Sequence, residues 1–154
     1  VAEVARVVSL DVTRSSCLVD GEDASVAIRG PEVTGAVSAV AANPDVRVEM
    51  VARQREWVAE LGGGVMEGRD IGSVVFPDAE VKVYLTASPE VRAQRRAAEV
   101  PGLDVDAAAA DIRRRDEADS SRTASPLVTA DGARVLDTSE LTVDGVVDAI
   151  VEML

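Results

Sequence analysis

Two places where a strand pattern runs directly into a helix start most strongly limit the fold of this chain. Residues 81–87, VKVYLTA, predict a strand, and Ser88 and Pro89 after it are typical of an N-cap and a first helical residue. Residues 134–137, RVLD, predict a second strand, and an amphipathic helix is predicted over residues 142–154. Strands that alternate with helices favour a parallel sheet covered by helices, so the sequence predicts an α/β fold.

The predicted sheet is short of strands. A third strand is predicted at residues 65–66, after the glycine loop at residues 62–64, and one more helix over residues 104–119. Three strands are fewer than a covered parallel sheet normally has. We therefore expect the remaining strands to lie upstream of Val1.

The first part of the chain predicts a small antiparallel unit and two helices. Residues 7–12 predict a strand, and residues 16–19 and 24–28 predict a hairpin around a glycine-containing turn. Gly30 and Pro31 begin a helix that ends near Ala42. The next helix has Asn43 as its N-cap and runs to about residue 61.

The composition excludes several classes of function. The net charge of −12 argues against sequence-independent binding of nucleic acid, which needs clustered basic residues. The chain has one cysteine and no histidine, so it cannot form an intrachain disulfide, a Ser-His-Asp triad or a His-ligated zinc site. No apolar run is long enough to span a membrane. We expect a cytoplasmic monomer, and phosphoryl transfer suits the remaining side chains because it depends on positioning and charge stabilisation.

The segment RRRDEADSSR contains Arg115, Asp119 and Arg122 at helical spacing. On a continuous helix these three side chains would share one face. Two arginines beside one carboxylate suit an anionic ligand that carries hydroxyl groups, because arginine can bind phosphate with two parallel hydrogen bonds. The alternative is a solvated helix face with internal ion pairs.

Two further groups of charged residues could bind a ligand. Arg69 and Asp70 follow the predicted strand at residues 65–66, and ligands of open α/β sheets bind beyond the carboxyl ends of strands. Arg92, Arg95 and Arg96 follow the helix start at Ser88 and suit a polyphosphate. Each group also has a structural interpretation, as a turn with a local ion pair and as a basic helix surface. The phosphate-binding motif G-x-x-x-x-G-K-[ST] does not occur in these 154 residues.

Three segments resemble bacterial cytidylate kinases. Residues 67–88, EGRDIGSVVFPDAEVKVYLTAS, resemble the signature GRD-[IM]-GTVVFPDA-x-VKI-[FY]-L, and residues 113–127, RRRDEADSSRTASPL, resemble RRD-x-x-D-x-x-R-x-x-x-PL. The segment LVDGEDASVAIRGPEVTGAVSAVAANPDVR resembles the insertion that distinguishes this family from adenylate kinases. The resemblance implies a P-loop NTPase-like nucleoside monophosphate kinase fold with a small antiparallel insertion in the monophosphate-binding region.

The resemblance also implies roles for individual residues. Ser38 and Arg47, with Asp70, match positions that recognise cytosine. Arg69 and Arg122 match contacts to the CMP phosphate. In the same family, Arg115 and Asp119 match contacts around the sugar, and Arg95 matches a lid arginine that meets ATP phosphates. Arg69, Arg122 and Arg95 are accordingly the expected catalytic residues.

The implied reaction transfers phosphate from ATP, with Mg²⁺, to CMP or dCMP. The resemblance places the monophosphate-binding region at residues 1–47 and the remainder of the kinase core at residues 48–154, with a lid at about residues 95–115. Members of the family begin with a strand, a phosphate-binding loop and a helix that have no counterpart here, so we expect this sequence to be part of a longer protein and to be inactive alone. A kinase for UMP or AMP and a non-catalytic fragment are the alternatives.

Overall fold

The computed structural model describes residues 1–13, 15–121 and 127–154. They form two compact units, Val1–Val65 and Met66–Leu154. The division follows the second long helix of the chain. It is a division by compactness, and the functional boundary at residue 47 stays a prediction.

In its described residues, the first unit contains a three-stranded antiparallel sheet and three α-helices. The sheet has the order β1-β2-β3, and Leu10 lies opposite Val19 in its first pair. A turn of 3₁₀-helix, Ala27–Arg29, connects the sheet to the second helix. In chain order the elements are α1 (Ala2–Val7), β1 (Leu10–Val12), β2 (Cys17–Val19), β3 (Glu22–Asp23), α2 (Pro31–Ala41) and α3 (Pro44–Leu61).

The predicted hairpin is confirmed for β2, but its second strand was placed wrongly. The chain reverses at Asp20 and Gly21, which have φ of 51° and 84°, and it pairs again at Glu22 rather than at Ala24. The Asp23 carboxylate accepts a hydrogen bond from the Ser25 amide, and the Ser25 hydroxyl accepts one from the Cys17 amide. These bonds turn the backbone out of the sheet, and the 3₁₀ turn follows where a strand over residues 24–28 was predicted.

The helix starts of the first unit are confirmed. The Asn43 side chain accepts hydrogen bonds from the amides of Asp45 and Val46 at 3.0 and 3.2 Å, as an N-cap does. Gly62 ends α3 with a φ of 72°, a conformation that glycine adopts without a steric penalty. The predicted strand at residues 7–12 is too long, because Val7 ends α1 and the strand begins at Leu10.

The part of the second unit that the structure describes, residues 66–121 and 127–154, contains a two-stranded parallel sheet and three α-helices. Its strands β4 and β5 pair in register, with Val83 opposite Arg134 and Thr86 opposite Asp137. A turn of π-helix, Ile71–Val75, precedes the sheet. In chain order the elements are β4 (Val83–Thr86), α4 (Pro89–Glu99), α5 (Val105–Ser120), β5 (Arg134–Asp137) and α6 (Val143–Val151).

The β-α connection that most limited the fold is confirmed. Ser88 caps α4 by accepting a hydrogen bond from the Val91 amide, and its own amide donates to the Ser139 hydroxyl at 2.8 Å. The predicted strand at residues 65–66 is wrong, since Val65 is 96% exposed and pairs with no strand among the residues that the structure describes. An apolar pair between glycines and a charged turn has too little buried surface to form a strand.

Helices α4 and α5 pack against each other in the second unit. Ala93 of α4 and Ala108 of α5 are buried, as is Val75 of the π-helical turn. Two polar side chains, Asp119 and Thr138, are buried as well. Burial of a polar group is costly without hydrogen-bond partners, so Asp119 and Thr138 are expected to have specific polar partners nearby.

Candidate functional site

Charged side chains from three segments of the second unit meet around Asp116. Asp116 Oδ1 lies 3.0 Å from Arg69 Nη1, and its Oδ2 lies 2.5 Å from Arg92 Nη2. Arg69 also approaches a second carboxylate, with its Nε 3.2 Å from Asp119 Oδ2. We call Arg69, Arg92, Asp116 and Asp119 the Asp116 cluster.

The positions of these four residues follow from local structure. Asp104 caps α5 by accepting from the Ala107 amide, and three-residue spacing then places Asp116 and Asp119 on one face of that helix. Packing of α4 on α5 brings Arg92 within reach of Asp116. Arg69 comes from the turn before the π-helical segment, where the Asp70 carbonyl accepts from the Val74 amide at 2.9 Å.

The cluster has an inner and an outer side. Asp119 is only 6% exposed, whereas the Arg69 side chain is 44% exposed. Arg69 therefore contacts a buried carboxylate and still reaches the surface. A planar guanidinium group held in this way can donate two parallel hydrogen bonds to two oxygens of an anion, and a phosphate offers such a pair of oxygens.

The predicted residue Arg115 lies on the same helix with a different carboxylate. Its Nη2 is 2.9 Å from Asp111 Oδ2, and the neighbouring Arg114 pairs with Asp111 Oδ1. Both pairs are formed within one helix. The structure thus brings Arg69 and Asp119 together and leaves Arg115 one turn away, with a partner on its own helix.

Arg95 has neutral partners. Its Nη1 donates to the Thr138 hydroxyl at 3.0 Å, and its Nη2 donates to the Thr138 carbonyl at 2.6 Å. The Thr138 hydroxyl in turn donates to the Thr86 carbonyl, so Arg95 connects α4 to the segment after β5. Its predicted contact with ATP phosphates stays a prediction, while these bonds give it a structural role.

The first unit holds two of the residues predicted to recognise a base. Ser38 lies in the last turns of α2 and is half-buried. Arg47 lies in the first turn of α3, and its Nη1 donates to the Ala41 carbonyl at 3.3 Å. Both residues therefore lie near the junction of α2 and α3.

Two predicted residues, Arg122 and Asp70, are not members of the Asp116 cluster. Arg122 lies outside the described residues, and α5 ends at Ser120. Asp70 precedes the π-helical turn, and its carbonyl accepts from the Val74 amide, but the described residues 62–70 contain no strand that leads to it. The prediction that Arg69 and Asp70 lie beyond a strand end was wrong, although the ion pairs of Arg69 support a functional position.

Sequence reasoning missed Asp116 and Thr138. Asp116 could have been found, because it lies three residues before Asp119 and therefore on the same helix face. Thr138 carried no such signal, since its importance depends on which segments pack beside it.

The neighbouring residue Asp137 has a pKa below the ordinary value, mainly because the Ser139 hydroxyl and then the Ser139 amide donate to its carboxylate.

The described residues contain neither a metal-binding cluster nor a helix suited to a membrane. Residues 1–13, 15–121 and 127–154 contain no group of three or more acidic, cysteine or histidine side chains placed to hold a metal ion. Among the helices of the same ranges, none combines the length and the apolar character needed to cross a bilayer.

Comparison with known proteins identifies a single family. The family model described as cytidylate kinase matches residues 1–154. The chain is 50% identical to a cytidylate kinase of Streptomyces griseus over 145 residues, which cover 94% of this chain and 63% of that protein. It is 53% identical to a cytidylate kinase of Rhodococcus opacus over 144 residues, which cover 91% of this chain and 63% of the relative. The chain thus spans a little under two thirds of the length of these curated relatives.

Proposed function

The chain belongs to the cytidylate kinase family, and from this premise we propose that the complete gene product transfers the terminal phosphoryl group of ATP to CMP or dCMP. The products are ADP and CDP or dCDP. The observation that carries the proposal at the level of residues is the Asp116 cluster, in which Arg69 is bonded to two carboxylates and still reaches the surface. Such an arginine is held in place and can also receive an anion.

We assign the phosphate of CMP to Arg69 and Arg122. Arg69 supports this role best, because its contacts with the described residues use Nε and Nη1 and leave Nη2 for a ligand. Arg115 is assigned, with Asp119, to the surroundings of the sugar. The Asp119 carboxylate accepts hydrogen bonds and is assigned to a sugar hydroxyl, as the family resemblance implies. Cytosine recognition is assigned on the same resemblance to Ser38, Arg47 and Asp70.

The chemistry needs no strong general base, because the attacking group is a phosphate oxygen that is already anionic. Catalysis then depends on holding donor and acceptor in line and on neutralising the charge that develops on the transferred group. Arg69 and Arg122 neutralise it from the side of CMP. Arginines suit this task because they stay charged at every physiological pH.

The proposed binding of ATP rests on fewer residues of this sequence than the proposed binding of CMP. Arg95 is the residue proposed for ATP phosphates, and the lid is proposed at about residues 95–115. Mg²⁺ would arrive on the ATP phosphates as part of the substrate. We propose a P-loop NTPase-like fold for the whole protein, and because the 154 residues contain no G-x-x-x-x-G-K-[ST] motif, we expect them not to turn over ATP by themselves.

A substrate panel tests the proposal directly. The complete gene product is assayed with ATP and with CMP, dCMP, UMP or AMP in turn. We expect the highest kcat/KM for CMP or dCMP, by at least about tenfold, because a site built to hydrogen-bond one base leaves polar groups unpaired with another. Equal or higher kcat/KM for UMP or AMP would assign the enzyme to another monophosphate.

Substitution of Asp70 tests the assignment of the base. Loss of a buried polar partner costs about 1–3 kcal/mol, so Asp70→Ala should lower kcat/KM for CMP by roughly tenfold. The matched control is Asp78→Ala, another carboxylate in a loop of the same unit to which no role is assigned. Unchanged kinetics with both CMP and UMP in the Asp70 variant would show that Asp70 is only a turn residue.

A further inference from the structure

The Asp116 cluster contains a carboxylate to which the proposed reaction gives no role. Asp116 uses one oxygen for Arg69 and the other for Arg92, so both of its oxygens are bonded to cations from different segments. Its side chain is 25% exposed, so solvent screens these bonds only in part. Neither Arg92 nor Asp116 is needed by the assignment of CMP to Arg69, Arg115, Arg122 and Asp119.

We infer that Asp116 is a positioning residue, which holds Arg69 in the orientation that receives the phosphate of CMP. An arginine side chain has many rotamers, and fixing one on ligand binding costs free energy. Asp116 Oδ1 and Asp119 Oδ2 bind two different nitrogens of the same guanidinium, which fixes its plane before any ligand arrives. The inference rests on the proposed function, because it takes CMP as the ligand of Arg69.

Arg92 completes the arrangement. Without it, the Asp116 carboxylate would be held by one cation and could rotate with Arg69. The 2.5 Å contact from Arg92 Nη2 to Asp116 Oδ2 fixes the carboxylate from α4, while α5 carries it. The plane of the Arg69 guanidinium is therefore determined by two helices and not by its own turn alone.

Asp116 could have the opposite effect, as an anion that competes with phosphate for Arg69. The geometry favours positioning for two reasons. Among the described residues, the Asp116 contact uses Nη1 and the Asp119 contact uses Nε, which leaves the Nη2 group of Arg69 to donate to a ligand. In addition, Arg92 balances the charge of Asp116, so the carboxylate adds little net repulsion toward an approaching anion.

The test measures the affinity of the complete gene product for CMP and for cytidine by isothermal titration calorimetry. Asp116→Asn keeps the shape and removes the charge. We expect it to weaken CMP binding by roughly three- to tenfold, the cost of immobilising one arginine side chain, and to leave cytidine binding unchanged. The matched control is Glu49→Gln, which removes a carboxylate 2.9 Å from Arg53 Nε within α3 and should change neither affinity.

A double-mutant cycle tests whether Asp116 acts through Arg69. In an Arg69→Ala background, Asp116→Asn should change CMP affinity by less than about twofold, because the residue to be positioned is gone. Unchanged or tighter CMP binding by Asp116→Asn alone overturns the inference, and so does an equal loss of CMP and cytidine binding. If Arg69→Ala itself leaves CMP affinity unchanged, the proposed function of Arg69 fails, and that result is distinct from the failure of Asp116 alone.

Discussion

Two aspartates on the same helix, Asp111 and Asp116, each bind two arginines in different ways. Asp111 pairs with Arg114 and Arg115, which lie three and four residues along α5. Asp116 pairs with Arg69 from the turn before the π-helical segment and with Arg92 from α4. The first set is local to one helix, and the second connects three segments.

The difference between the ion pairs of Asp111 and Asp116 indicates which kind of ion pair is informative about function. Pairs three and four residues apart form on any exposed helix that has the right side chains, and each is worth a few tenths of a kcal/mol. Pairs between segments need tertiary packing to bring the groups together, so they fix an arrangement that secondary structure alone does not. The helix face predicted from Arg115 and Asp119 contains both kinds of ion pair. Arg115 pairs with a residue of its own helix, whereas Asp119 pairs with Arg69 from another segment.

The largest effect is expected for Asp119→Ala. The change removes a buried carboxylate from the Asp116 cluster and the proposed acceptor for a sugar hydroxyl, so kcat/KM for CMP should fall by roughly 30- to 1,000-fold. Steady-state kinetics with both CMP and dCMP should show a larger loss for CMP if Asp119 binds the 2′-hydroxyl, and equal losses if it binds the 3′-hydroxyl. Arg114→Ala, which removes only a local partner, is the control. Wild-type kinetics in the Asp119 variant would remove this residue from the site.

A smaller effect, on stability, is expected for Arg95→Ala. Its bonds to the hydroxyl and carbonyl of Thr138 join α4 to the segment after β5, and Thr138 is buried. We expect the free energy of unfolding to fall by about 1–3 kcal/mol, since buried acceptors lose their donor. Denaturant unfolding of Arg96→Ala gives the comparison, with a change below about 0.5 kcal/mol. Equal changes in the two variants would show that the Arg95 bonds contribute nothing to the fold.

The comparison between the two aspartates can be measured directly through stability. Asp116→Asn weakens bonds to two other segments and should lower the free energy of unfolding by about 1 kcal/mol. Asp111→Asn weakens pairs within one helix and should lower it by less than about 0.5 kcal/mol. Thermal and denaturant unfolding of both variants give the two values. A larger loss for Asp111→Asn would reverse the distinction on which the comparison is based.

The smallest effect is expected where a carboxylate is bonded by its own loop. Hydrogen bonds from Ser139 hold the pKa of Asp137 below its ordinary value of 3.8, because they favour the ionised form. This contribution to stability is present above the ordinary pKa and is lost as the pH falls through the lowered folded value. Ser139→Ala should raise the pKa of Asp137 toward 3.8, although the Ser139 amide still donates. The pKa of Asp137 is measured by carboxyl NMR titration in the wild type and in the Ser139→Ala variant. The same pKa in both proteins would contradict this expectation.

The sequence predicted those parts of the fold that depend on near neighbours. The N-caps predicted at Asn43 and Ser88 accept the hydrogen bonds expected of them. Strand β5 is confirmed over all four of its predicted residues. Each of these features is determined by side chains within a few residues, which is why pattern and propensity were sufficient.

The remaining features depend on residues distant in sequence. The strand predicted at residues 65–66 had the right residue types, but among the described residues it has no partner strand. In the same way, Asp116 was passed over because its two partners lie 47 and 24 residues away in the chain. The candidate site was therefore predicted in part. The spacing to Asp119 gives the helix face of Asp116, but its pairing with Arg69 and Arg92 depends on tertiary structure.

One measurement tests the central claim, that Arg69 of the Asp116 cluster receives the phosphate of CMP. The Nε–H signals of ¹⁵N-labelled arginine in the complete gene product are followed by NMR during titration with CMP and with cytidine, and Arg69→Lys and Arg114→Lys variants assign two of the peaks. We expect the chemical shift of the Arg69 Nε–H group to change saturably with CMP and to stay constant with cytidine. The chemical shift of the exposed Arg114 should change with neither ligand. An Arg69 signal that is unchanged at concentrations of CMP that shift other residues would contradict it.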